Sequence, residues 1–167
     1  MSHLYFTKSV SGTKAVLCEE DAAHLARVLR AAVGDRVLLC DGCGTAYEAE
    51  LSLVSPGAVE AEILSSAPSE SEPSVAVTLY IGLAKGDKME WIVQKATELG
   101  AAQIVPFESC FCIAKQKNED KKRERYARIA REATKQCARG RVPSVRTPIS
   151  YETLLDEVKH YDVSFLF

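Results

Sequence analysis

The sequence predicts an α/β protein in which a small β-rich domain is followed by a domain built on a parallel sheet. Short strands separated by turn residues fill the first third of the 167 residues. From residue 75 the pattern changes to strand, helix, strand, helix, which is typical of a parallel α/β sheet. Between the two lies SSAPSESEP, residues 65–73, whose Ser, Pro and Glu content indicates a linker. We therefore expect domains at residues 1–72 and 73–167.

The first domain is predicted to be a small barrel or curled sheet. Its segments have strand length and a partial alternation of apolar and polar residues. These strands are expected at 36–41, 45–51 and 58–64. Asp, Ser, Pro and Gly residues lie between them and favour tight turns.

A helix is expected ahead of these strands, because four apolar residues recur at helical spacing. They are Leu25, Val28, Leu29 and Ala32. Asp21 is placed to cap the start of this helix, and Gly34 ends the pattern. The same helix carries His24, Arg27 and Arg30, which a spacing of three would place along one side. Such a row could follow successive phosphates, although a solvated helix face has the same pattern.

The second domain is predicted to alternate between buried strands and amphipathic helices. Strands are expected at 75–84, 103–107 and 162–167. The first helix would end at Gly100 and bury Met89, Ile92, Val93, Ala96 and Leu99. A longer helix is expected from about Asn118 to Ala138, with an apolar face of Tyr126, Ile129, Ala130, Ala133 and Cys137. A parallel-sheet domain that stops on a strand, here 162–167, is expected to be incomplete.

The composition is that of a globular protein, with 47% hydrophobic and 26% charged residues. No segment approaches the roughly 18 apolar residues that a membrane helix needs. The first residues also lack the apolar run of a signal peptide, so we expect a cytoplasmic protein. The six cysteines occur in a chain rich in core residues, and we expect them to be reduced.

The sequence does not predict a metal site. Cys40 and Cys43 form a C-x-x-C, but structural zinc needs four ligands, and the other close pair is Cys110 and Cys112. The three histidines show no ligand spacing. We interpret CDGCG as the turn of a hairpin, and a zinc-dependent regulatory protein remains as a third hypothesis. Dinucleotide, Walker and G-x-S-x-G motifs are missing from the sequence, which identifies no catalytic residue.

Positive charge is concentrated in one segment. Residues 115–146 contain 12 of the 21 Lys and Arg side chains, against four acidic ones. This distribution favours a surface that binds a polyanion, although a solvated helix face is the alternative. Arg139 and Arg141 lie at the end of this segment, where cations also stabilise a helix C-terminus without any RNA. Lys85 and Lys88 lie between a predicted strand and the next helix, where α/β proteins bind anionic ligands.

Five segments together resemble the RsmE family, whose members methylate N3 of a uridine in small-subunit ribosomal RNA. They are HLARVLR (24–30), CDGCGTAYEA (40–49), LAKGDKMEWIVQKATELG (83–100), the I-x-P of 104–106 and EATKQCARGRVP (132–143). Their order and spacing match over nearly the whole chain. K-x-x-K-M-E and Q-K-x-x-E-L-G are the most specific parts.

The resemblance implies a PUA-like barrel followed by a SPOUT-class domain with a trefoil knot. It also implies a homodimer, S-adenosylmethionine as cofactor, and small-subunit ribosomal RNA or the assembled subunit as partner. The positions that match RNA-gripping positions of the family are Arg27, Arg30, Lys85, Lys88, Arg139 and Arg141. The resemblance assigns none of them a catalytic role.

Two departures from the family pattern affect these expectations. Phe111 stands where many relatives have an arginine. Relatives also continue into G-P-E-G-G and L-R-x-E-T-A segments, which form the knot and hold the cofactor. We expect these segments to be absent here, so that only Leu166 and Phe167 reach the rim of the cofactor site. A non-catalytic RNA-binding module is therefore the alternative to a methyltransferase.

Overall fold

The structure, a computed structural model, describes residues 4–110 and 119–167. It divides into two compact units. The first runs to Ser74 and also includes Thr134–Val142, while the second comprises Val75–Ala133 and Pro143–Phe167. Nothing in the sequence pattern indicated that residues 134–142 return to the first unit. No helix in the described ranges is long and apolar enough to cross a membrane.

The first unit contains a closed five-stranded barrel, which confirms the predicted β-rich fold. Its strands are β1 (Leu4–Ser11), β2 (Lys14–Leu17), β3 (Arg36–Cys40), β4 (Thr45–Ser55) and β5 (Ala58–Pro68). Their order is β1-β2-β5-β4-β3, and a parallel pairing of β1 with β3 closes the barrel. Because successive side chains point to opposite faces of a strand, alternate residues fill the interior. The larger members of this core are Tyr5, Leu17, Leu39, Leu51 and Val59.

The predicted linker is partly wrong. Residues 65–68 belong to β5 and pair with residues 45–48 of β4 in one long hairpin. Backbone hydrogen bonding to a partner strand therefore determines the structure of this segment, in spite of its polar composition.

The helical segment after β2 also differs from the prediction. Helix α1 covers Glu19–Ala23, and the chain continues as a π-helix over His24–Leu29. Because π-helical hydrogen bonds join residues five apart, residues three apart, such as Leu25 and Val28, no longer share a face. Leu25 is buried, but Val28 is 66% exposed and Leu29 44% exposed. The predicted inward stripe is wrong for those two residues and for Ala32, which is exposed beyond the end of the helix. Asp21 lies within α1 and does not occupy its N-cap.

The second unit is built on a parallel sheet, as predicted. Its strands are β6 (Thr78–Gly82), β7 (Gln103–Glu108), β8 (Ser144–Val145) and β9 (Ile149–Ser150). Strand β7 pairs in parallel with β6, β8 and β9. The helices are α2 (Lys88–Glu98), α3 (Glu119–Gln136) and α4 (Tyr151–Glu157), and a 3₁₀ turn follows at Val158–His160.

The apolar faces of the two longer helices largely follow the sequence pattern. In α2, Met89, Val93 and Ala96 are buried, whereas Leu99 lies beyond the last helical residue and is 86% exposed. Thr97 is buried instead, and its hydroxyl donates to the carbonyl of Val93 at 2.8 Å. In α3, the buried residues are Tyr126, Ala130, Ala133 and Thr134. The predicted start of this helix at Asn118 lies outside the described residues, and Cys137 follows its end.

The predicted strand at 162–167 is wrong. These residues form no strand, and the side chains of Val163, Phe165, Leu166 and Phe167 are exposed. Strand β7 pairs instead with β6, β8 and β9, so both of its edges are occupied.

A polar cluster holds α4 within the second unit. The Glu157 carboxylate accepts two hydrogen bonds from the Arg146 guanidinium, at 2.7 and 2.8 Å. It accepts a third from the Tyr80 hydroxyl at 2.7 Å. The hydrogen bonds from Arg146 and, to a smaller extent, from Tyr80 hold the pKa of Glu157 below its ordinary value. Burial raises the pKa of Tyr80 well above the ordinary value of a tyrosine. The C-terminal end of α4 is therefore tied to β6 and to the residue after β8.

Candidate nucleic-acid interface

The turn between β3 and β4 is a closed hairpin, which confirms the interpretation of CDGCG. Asp41 organises it, because its carboxylate accepts the backbone N–H groups of Cys43 at 2.7 Å and Thr45 at 3.0 Å. Partial burial alone would raise the pKa of Asp41, but these backbone hydrogen bonds outweigh it and the pKa is lowered. Cys40 is buried and Cys43 exposed. The described residues include no group of three metal-ligating side chains. Cys112 and His3 lie outside them.

The segment 139–142 closes over this turn by backbone hydrogen bonds. Gly44 N–H donates to the carbonyl of Gly140 at 3.0 Å, and Val142 N–H donates to the carbonyl of Gly42 at 3.0 Å. Gly44 has a φ of +112°, and a side chain at Gly140 would overlap Ser69. Glycine at these positions is therefore what allows the two backbones to approach each other.

Glu72 anchors the same segment through its side chain. Its carboxylate pairs with the Arg139 guanidinium at 2.7 Å and accepts the backbone N–H of Arg141 at 2.9 Å. The Arg139 side chain is only 4% exposed. Arg141 is exposed, and its guanidinium donates to the carbonyl of Cys43 at 3.1 Å. Arg139 thus has the structural role that the sequence left open, while Arg141 keeps part of its guanidinium accessible.

A second ion pair joins the end of α3 to the barrel. Lys135 lies 2.8 Å from one carboxylate oxygen of Asp21, and the other oxygen accepts the backbone N–H of Phe6 at 2.9 Å. The ammonium also lies 5.7 Å from the centre of the Phe6 ring. Both charged side chains are largely buried. Lys135 is therefore a structural cation within the first unit.

Besides Arg141, four of the six predicted RNA-binding cations are exposed. Arg27 and Arg30 belong to the first unit, and Lys85 and Lys88 to the second. Within residues 4–110 and 119–167, none of the four forms an ion pair or a side-chain hydrogen bond. Lys85 lies between β6 and α2, and Lys88 is the first residue of α2, so both are at the predicted strand-to-helix junction. Their charges are available to an anionic partner.

Arg30 does not continue the predicted row of three basic residues. It follows the last residue of the π-helix and has a left-handed backbone, with φ 52° and ψ 40°. Its direction is set by this turn and not by helical spacing. Arg27 lies in the last turn of the π-helix.

Further basic residues lie along α3. Lys121, Arg123 and Arg128 are exposed, while Arg125 pairs with Glu90 at 2.7 Å.

Leu166 and Phe167, predicted to reach the rim of a cofactor site, are fully exposed. Phe111, where an arginine was expected, lies outside the described residues.

Sequence analysis missed the carboxylates that decide which cations are free. Glu72 lies in the predicted linker, and Asp21 was assigned to a helix cap. A distant partner leaves no signal in local spacing. Glu72 is one of two acidic residues in the polar segment 65–73, and nothing in that segment distinguishes it from Glu70.

Comparison with known proteins associates both units with RNA methyltransferases. Residues 17–64 match the family model described as an RNA methyltransferase PUA domain. Residues 70–167 match the model described as an RNA methyltransferase domain. The expected PUA-like barrel followed by a SPOUT-type sheet is thereby confirmed.

Individual relatives are consistent with these family matches. Ribosomal RNA small subunit methyltransferase E of Bacillus subtilis is 37% identical, over 86% of this chain and 57% of its own length. The protein of that name from Synechocystis is 33% identical, over 81% and 43%. The Neisseria gonorrhoeae enzyme of that name, solved bound to S-adenosyl methionine, superposes with a TM-score of 0.83 and 30% identity, over 94% and 65%. The chain spans about half the length of these curated relatives.

Proposed function

Because this chain belongs to the RsmE family of RNA methyltransferases, we propose that the protein methylates N3 of a uridine in small-subunit ribosomal RNA. The methyl donor is S-adenosylmethionine, and the protein acts as a cytoplasmic homodimer on the RNA or on the assembled subunit. The observation that carries the proposal is the pair of family matches, one to an RNA methyltransferase PUA domain and the other to an RNA methyltransferase domain.

The exposed cations provide the first part of this activity, which is RNA binding. Arg27, Arg30, Lys85 and Lys88 can each neutralise a phosphate, since no other described side chain pairs with them. Arg141 can donate the part of its guanidinium that Cys43 does not use. Arginine matches phosphate oxygens by paired hydrogen bonds, whereas lysine acts as a point charge.

The cofactor site is supported by less of the described chain. Leu166 and Phe167 offer exposed apolar side chains, which suit the purine ring of S-adenosylmethionine, and these residues would line the edge of its site. When bound, the cofactor supplies a methyl group on a positively charged sulfonium. The task of the protein is then to orient the uridine and to assist the loss of its N3 proton.

The test is methylation of small subunits that lack the modification. The protein as the cell makes it is incubated with the subunits and S-adenosylmethionine, and the RNA is digested and analysed by mass spectrometry for 3-methyluridine. We expect this nucleoside to form in proportion to the protein. A different methylated nucleoside would contradict the proposed position.

An RNA-binding module without methyl transfer is the second candidate. The PUA match, which covers residues 17–64 and includes Arg27 and Arg30, supports the RNA binding that both candidates require. The same incubation separates the candidates: tight, salt-dependent RNA binding with no incorporated methyl group would support the module and contradict the enzyme.

A further inference from the structure

The barrel unit exposes a short apolar surface between two arginines. Val28, Leu29 and Val33 are 66%, 44% and 65% exposed. Arg27 precedes this group and Arg30 lies within it. We call these five residues, Arg27–Arg30 together with Val33, the apolar edge.

The exposure of the apolar edge is a property of the backbone. In an α-helix Val28 would share a face with Leu25, which lies three residues earlier and is buried in the barrel core. In the π-helix these two residues no longer share a face. Arg30 ends the helix directly after Leu29, with a left-handed backbone that non-glycine residues rarely adopt. Hydrogen bonds hold this geometry, from Ala31 N–H to the carbonyl of Leu25 at 3.0 Å and from Ala32 N–H to the carboxylate of Asp35 at 2.8 Å. Two unfavourable features in one well-bonded segment are typical of a functional surface.

The chemistry of the apolar edge fits RNA. Its two guanidiniums have no partner among the described side chains, and the edge itself contains no acid. These two arginines flank Val28 and Leu29 in the sequence, and water solvates that apolar pair poorly. Proteins that open nucleic-acid structure place such apolar side chains against bases while arginines hold the neighbouring phosphates. The edge lies wholly within residues 17–64, which match the RNA methyltransferase PUA domain.

We propose that Val28 and Leu29 pack against an unstacked base of the RNA, while Arg27 and Arg30 bind the phosphates on either side of it. This inference rests on the proposed function, because it assigns one contact of the same RNA. It adds that barrel binding has an apolar component, which does not depend on salt. It also predicts that the RNA is single-stranded or looped at this contact, since paired bases are not free to leave their stack.

The test uses an RNA stem-loop that carries 2-aminopurine in its loop, with the protein as the cell makes it. The variant Val28→Thr with Leu29→Asn keeps the side-chain sizes and removes the apolar contact. The matched control is Val10→Thr with Leu64→Asn, because Val10 and Leu64 are 39% and 50% exposed elsewhere on the barrel. Equal melting temperatures of the three proteins establish that the variants fold.

We expect the Val28/Leu29 variant to bind roughly tenfold more weakly, as the loss of two apolar contacts implies. The slope of log K against log salt should not change, and the rise in 2-aminopurine fluorescence on binding should disappear. The control should bind as the wild type does. In contrast, Arg27→Gln with Arg30→Gln should reduce the salt slope by about 1.5, because two phosphate contacts are lost.

Two outcomes would overturn the proposal while leaving the function intact. In the first, the Val28/Leu29 variant binds and methylates RNA as the control does. In the second, that variant changes the mass of the protein assembly but not its RNA affinity, so that a second copy covers the edge. If the wild-type protein itself does not bind RNA, this result instead contradicts the proposed function.

Discussion

Glu72 is the residue on which the end of the basic segment depends. It pairs with the buried guanidinium of Arg139 and accepts the backbone N–H of Arg141, so one carboxylate fixes two neighbouring positions. These arginines have similar sequence surroundings but different roles. Arg139 neutralises a partly buried carboxylate, while Arg141 presents its side chain at the surface beside Cys43.

We predict that Arg139→Met lowers the free energy of unfolding by about 3 kcal/mol, because it leaves Glu72 without its cation at a largely buried site. Urea unfolding measures this change. The double variant Arg139→Met with Glu72→Gln should recover part of the loss, since no uncompensated charge remains. The matched Arg141→Gln should cost only about 1 kcal/mol, the value of one hydrogen bond. An Arg139→Met protein as stable as the wild type would contradict the structural role.

Lys85 and Lys88 are predicted to contribute to RNA affinity but not to stability. Lys85→Gln with Lys88→Gln should reduce the slope of log K against log salt by about 1.5, since two phosphate contacts are lost. Binding titrations at several salt concentrations measure the slope. Lys159→Gln is the control, because Lys159 pairs with Asp156 at the surface of the same unit. If the double variant and the control have the same slope, these lysines do not contact RNA.

At the residue scale, the sequence predicted the positions of the cations more successfully than it predicted which of them form ion pairs. Lys85 and Lys88 occur at the junction of a strand and a helix, as expected, because local pattern determines that position. The burial of Arg139 depends on Glu72, which is far away in sequence. Such a contact forms only when the chain has folded, and spacing cannot reveal it.

The elements of the second unit are connected by ion pairs as well as by apolar packing. Glu157 at the end of α4 binds Arg146 after β8 and Tyr80 in β6. One side chain therefore joins three elements that are distant in sequence. The segment after α4 also attaches here, because Tyr161 donates to the hydroxyl of Thr78 in β6 at 3.1 Å.

We predict that Glu157 makes the stability of the second unit depend on pH. Its pKa in the folded protein lies below the ordinary value of 4.5, so the folded state binds the proton more weakly than the unfolded state does. Its contribution is therefore complete above pH 4.5 and is lost as the pH falls through the lowered pKa. Glu157→Gln should be less stable near neutral pH and should lose less stability on acidification. Urea unfolding at several pH values tests this, with Glu20→Gln as an exposed control. Parallel profiles of the wild type and Glu157→Gln would contradict it.

At the scale of elements, periodicity succeeded where one face of a regular element is buried. The stripe of α2 is correct at Met89, Val93 and Ala96. It fails at Leu99, which follows the last helical turn. It fails also at Val28, because the π-helix changes the period on which the prediction rests, and at Leu29, the last residue of that helix. Strand β5 was predicted too short, since its last residues are held by pairing with β4 and not by apolar side chains.

At the scale of the whole molecule, the chain visits the first unit twice. Residues 134–142 return to it and are held by Asp21, by the turn at 41–44 and by Glu72. Composition could place one boundary near the polar segment before residue 75. It could not indicate the return, because the basic end of α3 has the composition of an ordinary solvated helix.

We predict that residues 139–142 unfold together with the barrel and not with the second unit. The N–H groups of Arg139, Arg141 and Val142, and that of Gly44 in the facing turn, are hydrogen-bonded within the first unit. Hydrogen exchange should therefore give them the protection of β3 and β4. Glu72→Gln removes the anchoring charge and should speed exchange about tenfold in both 69–72 and 139–142, since ~1.4 kcal/mol corresponds to a factor of ten. Glu70→Gln, two residues away and exposed, should not. Exchange of 139–142 at the rate of β6 and β7 would contradict the prediction, because a segment that shares the stability of the second unit cannot be part of the first.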